Sequence, residues 1–336
     1  MKKKAFALLA LLLALALFAG CGEQSGTSLP ETSLPAESSA DISYDLSGID
    51  ISEQSEEPVD PLTRVWESEM VVADFDASYD AGGMFIYRSD LGLVLQKQDM
   101  QKPIYPASIT KLVTALTALK YAEPDFVITA GAELDLVAKD STIAYVRKGH
   151  KLTVEMLIRG MLLPSGCDAS YVLAAGVGKR IDPGASDAEA AVAVFVDAMN
   201  MWSKENGLTN SHWTNPDGYH DNDHYTCMAD LLRVADFAAE NAVVRDCASC
   251  GSADVVYASG ETNHWDNTNS FVRKDSPYYD AHCIGLKTGT TDEAGACLLS
   301  VFEEDGVRTI IGVFGCVNKE SRFTVTTRLR GIARLV

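Results

Sequence analysis

The chain has 336 residues, of which 47% are hydrophobic and 22% charged, and a formal net charge of −19. So acidic a balance argues against nucleic acid as a partner, because phosphate backbones are bound by clustered Lys and Arg. The length and apolar content suffice for one large buried core, and the absence of GxGxxG and GxxxxGK[ST] loops leaves nucleotide-dependent chemistry without support.

The N-terminus opens with Lys2-Lys3-Lys4, continues through an apolar run from Ala5 to Ala19 and meets Gly20-Cys21. This is the layout of a secretory signal, and the run falls short of the roughly 18 to 20 apolar residues that a spanning helix needs. Phe18-Ala19-Gly20-Cys21 resembles a lipobox, with Phe18 where Leu is usual. Residues 1–21 are therefore expected to direct an extracytoplasmic, cell-envelope location, membrane-anchored through lipidation of Cys21 or otherwise secreted. From Gly22 to Pro61 there are ten Asp or Glu residues and no Lys or Arg, interleaved with Ser, Thr, Pro and Gly. Such a segment buries too little apolar surface to offset its ordering entropy, so residues 22–63 read as a disordered acidic tether that carries about half of the net charge.

Residues 64–336 are expected to form the working domain. Gly83 to Arg88 and Leu91 to Gln96 read as a hairpin joined at Ser89-Asp90. Helical periodicity follows over Ile109 to Tyr121, Val154 to Leu163, Ala169 to Gly176, Ala188 to Glu205 and Met228 to Glu240. Near the C-terminus, Ile284 to Thr290 reads as an edge strand. Ala296 to Phe302 and Thr309 to Phe314 form a second hairpin around Glu303-Glu304-Asp305-Gly306, and Arg322 to Leu335 is an amphipathic helix that packs on the sheet. The fold class is thus α+β, a mainly antiparallel sheet built from both chain ends and flanked by helices, with an all-α lobe over about 122–280 inserted between them.

The chemistry starts from Ser108-Ile109-Thr110-Lys111 at the head of a helical run, where a helix holds Ser108 and Lys111 on one face. A serine hydroxyl becomes a good nucleophile only when a base takes its proton, and a lysine can be that base when burial or a neighbouring cation lowers its pKa. Backbone N–H groups at a helix start also favour developing negative charge. Taken alone this spacing is common, since Ser often caps helices. Its weight comes from Ser165-Gly166-Cys167-Asp168-Ala169 after an apolar helix and Lys287-Thr288-Gly289-Thr290 on a strand, in that chain order.

Together these elements resemble the SxxK, SxN and KTG motifs of the penicillin-binding proteins and serine β-lactamases. The low-molecular-mass D-alanyl-D-alanine carboxypeptidases of peptidase family S11 fit best. The flanks agree as well, in Tyr105 to Leu112, Gly149-His150 with Thr153, Asn215-Pro216-Asp217-Gly218, and Gly285 to Thr291 with Ala294-Gly295. The resemblance implies the β-lactamase/D,D-peptidase-like fold and a serine carboxypeptidase that removes the terminal D-Ala of peptidoglycan pentapeptides ending in D-Ala-D-Ala. β-Lactams are implied as covalent inhibitors. Ser108 would attack the penultimate carbonyl, Lys111 accept its proton and Ser165 relay a proton to the leaving amine. Lys287 and Thr288 would hold the substrate carboxylate, Gly289 allow close approach of substrate backbone, and the N–H groups of Ser108 and Thr290 form the oxyanion hole.

The departure is Cys167, which stands where the family usually has Asn and is counted here as a substrate-lining residue; a thiol is a much weaker hydrogen-bonding group than an amide. Reduced or altered activity is expected from it. A D,D-transpeptidase, a serine β-lactamase and a peptidoglycan- or β-lactam-binding protein without turnover remain alternatives. The histidines at 150, 212, 220, 224, 264 and 282 lack HExxH or comparable spacing, so neither metal nor cofactor is expected. Seven cysteines follow Cys21, and the one CxxC, Cys247 with Cys250, suits a disulfide, a thiol redox pair or coincidence.

Overall fold

A computed structural model describes residues 71–74 and 79–335. The expected signal segment, the acidic tether and Cys21 lie outside the described residues. Among the described residues no helix is long and apolar enough to cross a membrane.

The centre is a six-stranded sheet with strand order β1-β3-β2-β10-β9-β8. Its strands are β1 (Val71–Asp74), β2 (Gly83–Arg88), β3 (Leu93–Gln96), β8 (Cys283–Thr291), β9 (Gly295–Glu304) and β10 (Val307–Cys316). All neighbours are antiparallel except β1 and β3, which run parallel. Arg88 pairs with Thr309, so the two chain ends meet in the middle of the sheet, and β8 forms one edge as expected.

Side chains alternate between the two faces of a strand, and here both faces are apolar. Met84, Ile86, Leu298, Ile311 and Val313 point to α7 (Ser321–Leu335), which contributes Phe323, Val325, Leu329 and Ile332. Phe85, Val94, Leu299, Val301 and Ile310 point to the helical lobe. The lobe is built on α1 (Thr110–Tyr121), whose residues from Thr110 to Ala118 are all buried, as befits a helix packed on every side. Around it stand α2 (Val154–Leu162), α3 (Cys167–Ile181), α4 (Ala188–Glu205), α5 (Met228–Glu240) and α6 (Ala242–Ser249). Arg308 donates to Asp236 at 2.7 Å, tying α5 to β10, and Arg245 grips Glu303 at 2.9 and 2.5 Å, tying α6 to β9.

The middle of the chain is not purely helical. It also carries two small antiparallel pairs, β4 (Val127–Thr129) with β5 (Lys151–Thr153) and β6 (Ser252–Val256) with β7 (Thr262–Asp266). Each is too short, or too polar on its outer face, to leave a strong periodic signature. The C-terminal hairpin turn is tighter than expected. Glu303 and Glu304 pair with Arg308 and Val307, leaving only Asp305 and Gly306, with φ of 52° and 80°, to turn the chain. The first hairpin is looser, because Arg88 grips Asp90 at 2.9 and 2.8 Å and Gly92 takes a left-handed φ of 59°, so Leu91 falls in the turn.

Gly312 lies where β10 crosses the Phe85 ring, and a Cβ there would come within 2.3 Å of that ring. Gly312→Ala is expected to overpack this face and destabilise the protein by about 1–3 kcal/mol, read from the urea midpoint at unchanged m-value.

Candidate active site

Ser108 does not start a regular helix. It occupies a short 3-10 turn, Ala107–Ile109, that leads into α1, and Ala107 before it takes a left-handed φ of 47°. Among the described residues only four non-glycine residues have positive φ, and Ala107, Tyr145 and Ser165 lie on the turns that enclose Ser108 and Cys167. Such conformations cost energy and persist only where surrounding contacts hold them. For Tyr145 those contacts are visible. The buried Asp168 carboxylate accepts the N–H groups of Ala144 at 2.7 Å and Val146 at 2.8 Å, on either side of it.

Lys111 is fully buried, and its Nζ lies 2.9 Å from Ser108 Oγ, 3.4 Å from Cys167 Sγ and 2.6 Å from the carbonyl oxygen of Asp217. Three separated segments thus converge on one amine. Cys167 opens α3 and Asp217 belongs to the Asn215–Gly218 turn, which is closed by Asn215 Oδ1 accepting the Gly218 N–H at 2.8 Å. Burial raises the Cys167 pKa, with Lys111 opposing, so the sulfur is a neutral thiol that accepts from the amine.

Ser165 is nearly buried in the turn before α3. Its backbone oxygen accepts from Thr142 Oγ1 at 2.8 Å, while its hydroxyl makes no hydrogen bond within the described residues. It does not cap α3, whose N-cap is Gly166. Lys287 is fully buried on β8, its Nζ donating to Thr288 O at 3.0 Å. Burial first, then the positive charges of Lys111 and Arg322, hold its pKa well below the ordinary lysine value. The structure therefore joins Ser108, Lys111 and Cys167 by direct contact, whereas Ser165 and Lys287 flank them without a hydrogen bond to Ser108 or Lys111.

Thr288 Oγ1 meets Thr268 Oγ1 at 2.7 Å. Thr290 is exposed, its hydroxyl donating to Gly289 O at 2.7 Å. The need for glycine at 289 comes from the protein itself, because a Cβ there would stand 3.0 Å from Pro106 O and 3.2 Å from Ser108 N. β8 is thereby pressed against the turn that carries Ser108, and the side chain that would have kept them apart is missing.

Two participants had no legible signal. Arg322, 6% exposed, begins the helix expected to pack on the sheet, yet its Nη1 reaches Gly289 O and Thr290 Oγ1, both at 3.2 Å. Asp217 contributes a backbone oxygen, which no side-chain pattern announces. Cys247 and Cys250 are free thiols; Cys247 is buried in α6 with its pKa pushed up to about 12, and Cys250 donates to Ser252 O at 2.9 Å.

A family model described as D-alanyl-D-alanine carboxypeptidase, peptidase S11, matches residues 70–318. The chain belongs to this family of serine peptidases. It is 32% identical over 216 residues to the D-alanyl-D-alanine carboxypeptidase of Streptomyces sp. strain K15, covering 61% of this chain and 70% of that protein. It is 26% identical over 265 residues to DacF of Bacillus subtilis strain 168, spanning 77% of this chain and 63% of DacF. In three dimensions it is similar to the Streptomyces K15 DD-transpeptidase, with a TM-score of 0.68 at 26% identity over 78% of this chain and 99% of that one. The α+β penicillin-binding fold is thus the fold of this S11 chain. Solved variants of the K15 enzyme include a serine-to-alanine change and, two residues on, changes of a cysteine to alanine and to asparagine.

His224 lies behind this site, 2% exposed, with a pKa lowered to about 3, chiefly by burial. A histidine that resists protonation when folded but not when unfolded favours unfolding as pH falls. Its contribution is unchanged above the ordinary value near 6.5, declines between 6.5 and 3, and levels off below. The loss is on the order of 1.4 kcal/mol per unit across that window. His224→Gln is expected to remove this dependence, measured as the difference between the pH profiles of urea stability for the two proteins.

Proposed function

We propose that this S11 chain acts in the cell envelope, removing the terminal D-Ala from peptidoglycan stem peptides through an acyl-enzyme on Ser108, and that β-lactams acylate the same oxygen. The observation that carries the reading is the buried Lys111 amine 2.9 Å from Ser108 Oγ. In the uncharged form that the proposed reaction requires, an amine has two N–H groups and one lone pair. With the N–H groups donated to Asp217 O and Cys167 Sγ, the lone pair is left for the serine proton.

In the proposed reaction Ser108 Oγ bonds to the penultimate carbonyl carbon as its proton passes to Lys111. The oxyanion is received by the N–H groups of Ser108 and Thr290. The C–N bond then breaks, and the leaving amine takes a proton through the Ser165 hydroxyl. Water, deprotonated by Lys111, hydrolyses the ester in the second half. Lys287, Thr288 and Arg322 provide the cationic end for the substrate carboxylate. A carboxylate arriving beside Lys287 restores the charge that burial disfavours, which makes this lysine sensitive to whether substrate is present. Cys167, as acceptor from Lys111, supplies one of the two hydrogen bonds an Asn amide would make and leaves substrate positioning weaker.

The N-terminal pattern, basic cluster, apolar run and Cys21, supports export and anchoring through lipidated Cys21, with residues 22–63 as spacer. Transpeptidation is the second reading. It is favoured by the likeness to a DD-transpeptidase in which, as here, a cysteine stands two residues after a serine that was singled out for substitution. An amine reaching the acyl-enzyme before water would divert the same intermediate.

Incubation with a pentapeptide ending in D-Ala-D-Ala is expected to release D-Ala, and Ser108→Ala to abolish release and penicillin labelling together. A new amide product on adding an amine acceptor would establish transpeptidation, rapid loss of the penicilloyl adduct would establish a β-lactamase, and absence of D-Ala release in the wild type would refute the carboxypeptidase reading.

A further inference from the structure

We propose that His224 and Thr110 are positioning residues that set the direction of the Ser108 N–H, one of the two donors that receive the oxyanion. The inference rests on the acyl-transfer reading above and adds to it a supporting layer remote from the substrate.

The argument begins with the peptide group between Ala107 and Ser108. In a planar trans peptide the C=O and N–H point in opposite directions, so fixing the Ala107 oxygen fixes the Ser108 N–H. Ala107 is left-handed, with φ of 47°, a conformation disfavoured for a residue carrying a Cβ. Something must hold the plane. The Thr110 backbone N–H donates to Ala107 O and is shared with Ser108 O, and Thr110 Oγ1 adds a second, undivided bond to Ala107 O at 2.8 Å and lies 2.8 Å from His224 Nε2.

The direction of each bond in this chain follows from one donor. The Thr214 backbone N–H, 3.1 Å from His224 Nδ1, can only donate, so Nδ1 accepts and the proton of the neutral imidazole sits on Nε2. His224 therefore donates to Thr110, whose own hydroxyl proton is thereby committed to Ala107 O. The edge of Trp213, 5.3 Å away between ring centroids, backs the imidazole, and burial keeps it uncharged. Among the described residues His224 makes no hydrogen bond to Ser108 or Lys111, so its hydrogen-bonded link to Ser108 runs through Thr110.

Two glycines show how closely the surroundings are built on this peptide group. A Cβ on Gly218 would lie 1.9 Å from Ala107 O and 2.8 Å from Thr110 Oγ1. A Cβ on Gly289 would lie 3.2 Å from Ser108 N, which brings that N–H beside β8, next to Thr290. Accepting a hydrogen bond at the carbonyl also polarises the amide and strengthens its N–H as a donor. The chain thus both aims and sharpens the donor.

The test uses Thr110→Val, which keeps the shape and removes the hydroxyl, Thr110→Ser, which restores it, and His224→Gln, whose amide can bridge Thr214 and Thr110. Each is reacted with a β-lactam, following the acylation rate, the final labelled fraction and the infrared stretch of the acyl-enzyme ester carbonyl. Thr110→Val is expected to label fully but about tenfold to a hundredfold more slowly, with its ester band at higher frequency than the wild type, since a misaligned donor polarises the carbonyl less. The loss should fall on kcat more than on KM, and Thr110→Ser and His224→Gln should recover most of the rate and the band position. A fully labelled Thr110→Val with wild-type rate and wild-type band overturns the proposal. If instead Thr110→Val does not fold, a His224→Gln protein that folds yet loses both rate and band shift, or a His224→Phe protein that keeps both, overturns it. Wild-type protein that never labels at Ser108 would refute the acyl-transfer reading itself and this inference with it.

Discussion

Two lysine side chains, Lys111 and Lys287, are buried with no solvent contact and near enough for one to lower the pKa of the other, and the architecture around them answers that constraint. Amines removed from water need hydrogen-bonding partners, and like charges in a poorly polarisable interior repel. Lys111 meets the need with a hydroxyl, a thiol and a backbone carbonyl from three different segments. Lys287 has only its neighbour's carbonyl, and burial, followed by the positive charges of Lys111 and Arg322, holds its pKa well below the ordinary lysine value.

Each supporting segment is in turn held by groups that do not themselves touch the Lys111 amine. Asp168 clamps the loop that carries Tyr145, Asn215 closes the turn that presents Asp217 O, and the sheet presses β8 against Ser108 through the missing side chain at 289. Left-handed residues at 107, 145 and 165 show where the backbone is bent away from its preferred form to bring these groups together. The groups that meet at Lys111 are few, and much of the local structure holds them there.

Much of this was legible because it is written in side chains at regular spacing. Ala188–Glu205 and Met228–Glu240 start and stop where the periodicity does, the first capped by Asp187 accepting the Ala190 N–H at 2.8 Å. Ser108, Lys111, Ser165 and Lys287 stood out because they fall, in chain order, in motifs that resemble the SxxK, SxN and KTG set of the penicillin-binding proteins. What escaped notice has no such mark. A backbone carbonyl at 217 is the same whatever residue carries it, the left-handed turn at Ala107 is imposed from outside, and Arg322 looks like helix decoration until α7 is docked. The small β-pairs escaped for a different reason, since three to five residues with a polar outer face give periodicity little to act on.

The joining of the chain ends in the sheet has a consequence for how the protein comes into being. Ser108 and Lys111 are made first, and the strand that completes their surroundings, Cys283–Thr291, follows them in synthesis and is held by β9, itself paired to β10 and through it to β2. Closing such distant segments is slow, because loop entropy is lost before the contacts repay it. Until that closure a nascent chain carries Ser108 and Lys111 without the wall opposite them, so the arrangement is completed by the fold and not by the synthesis of either residue.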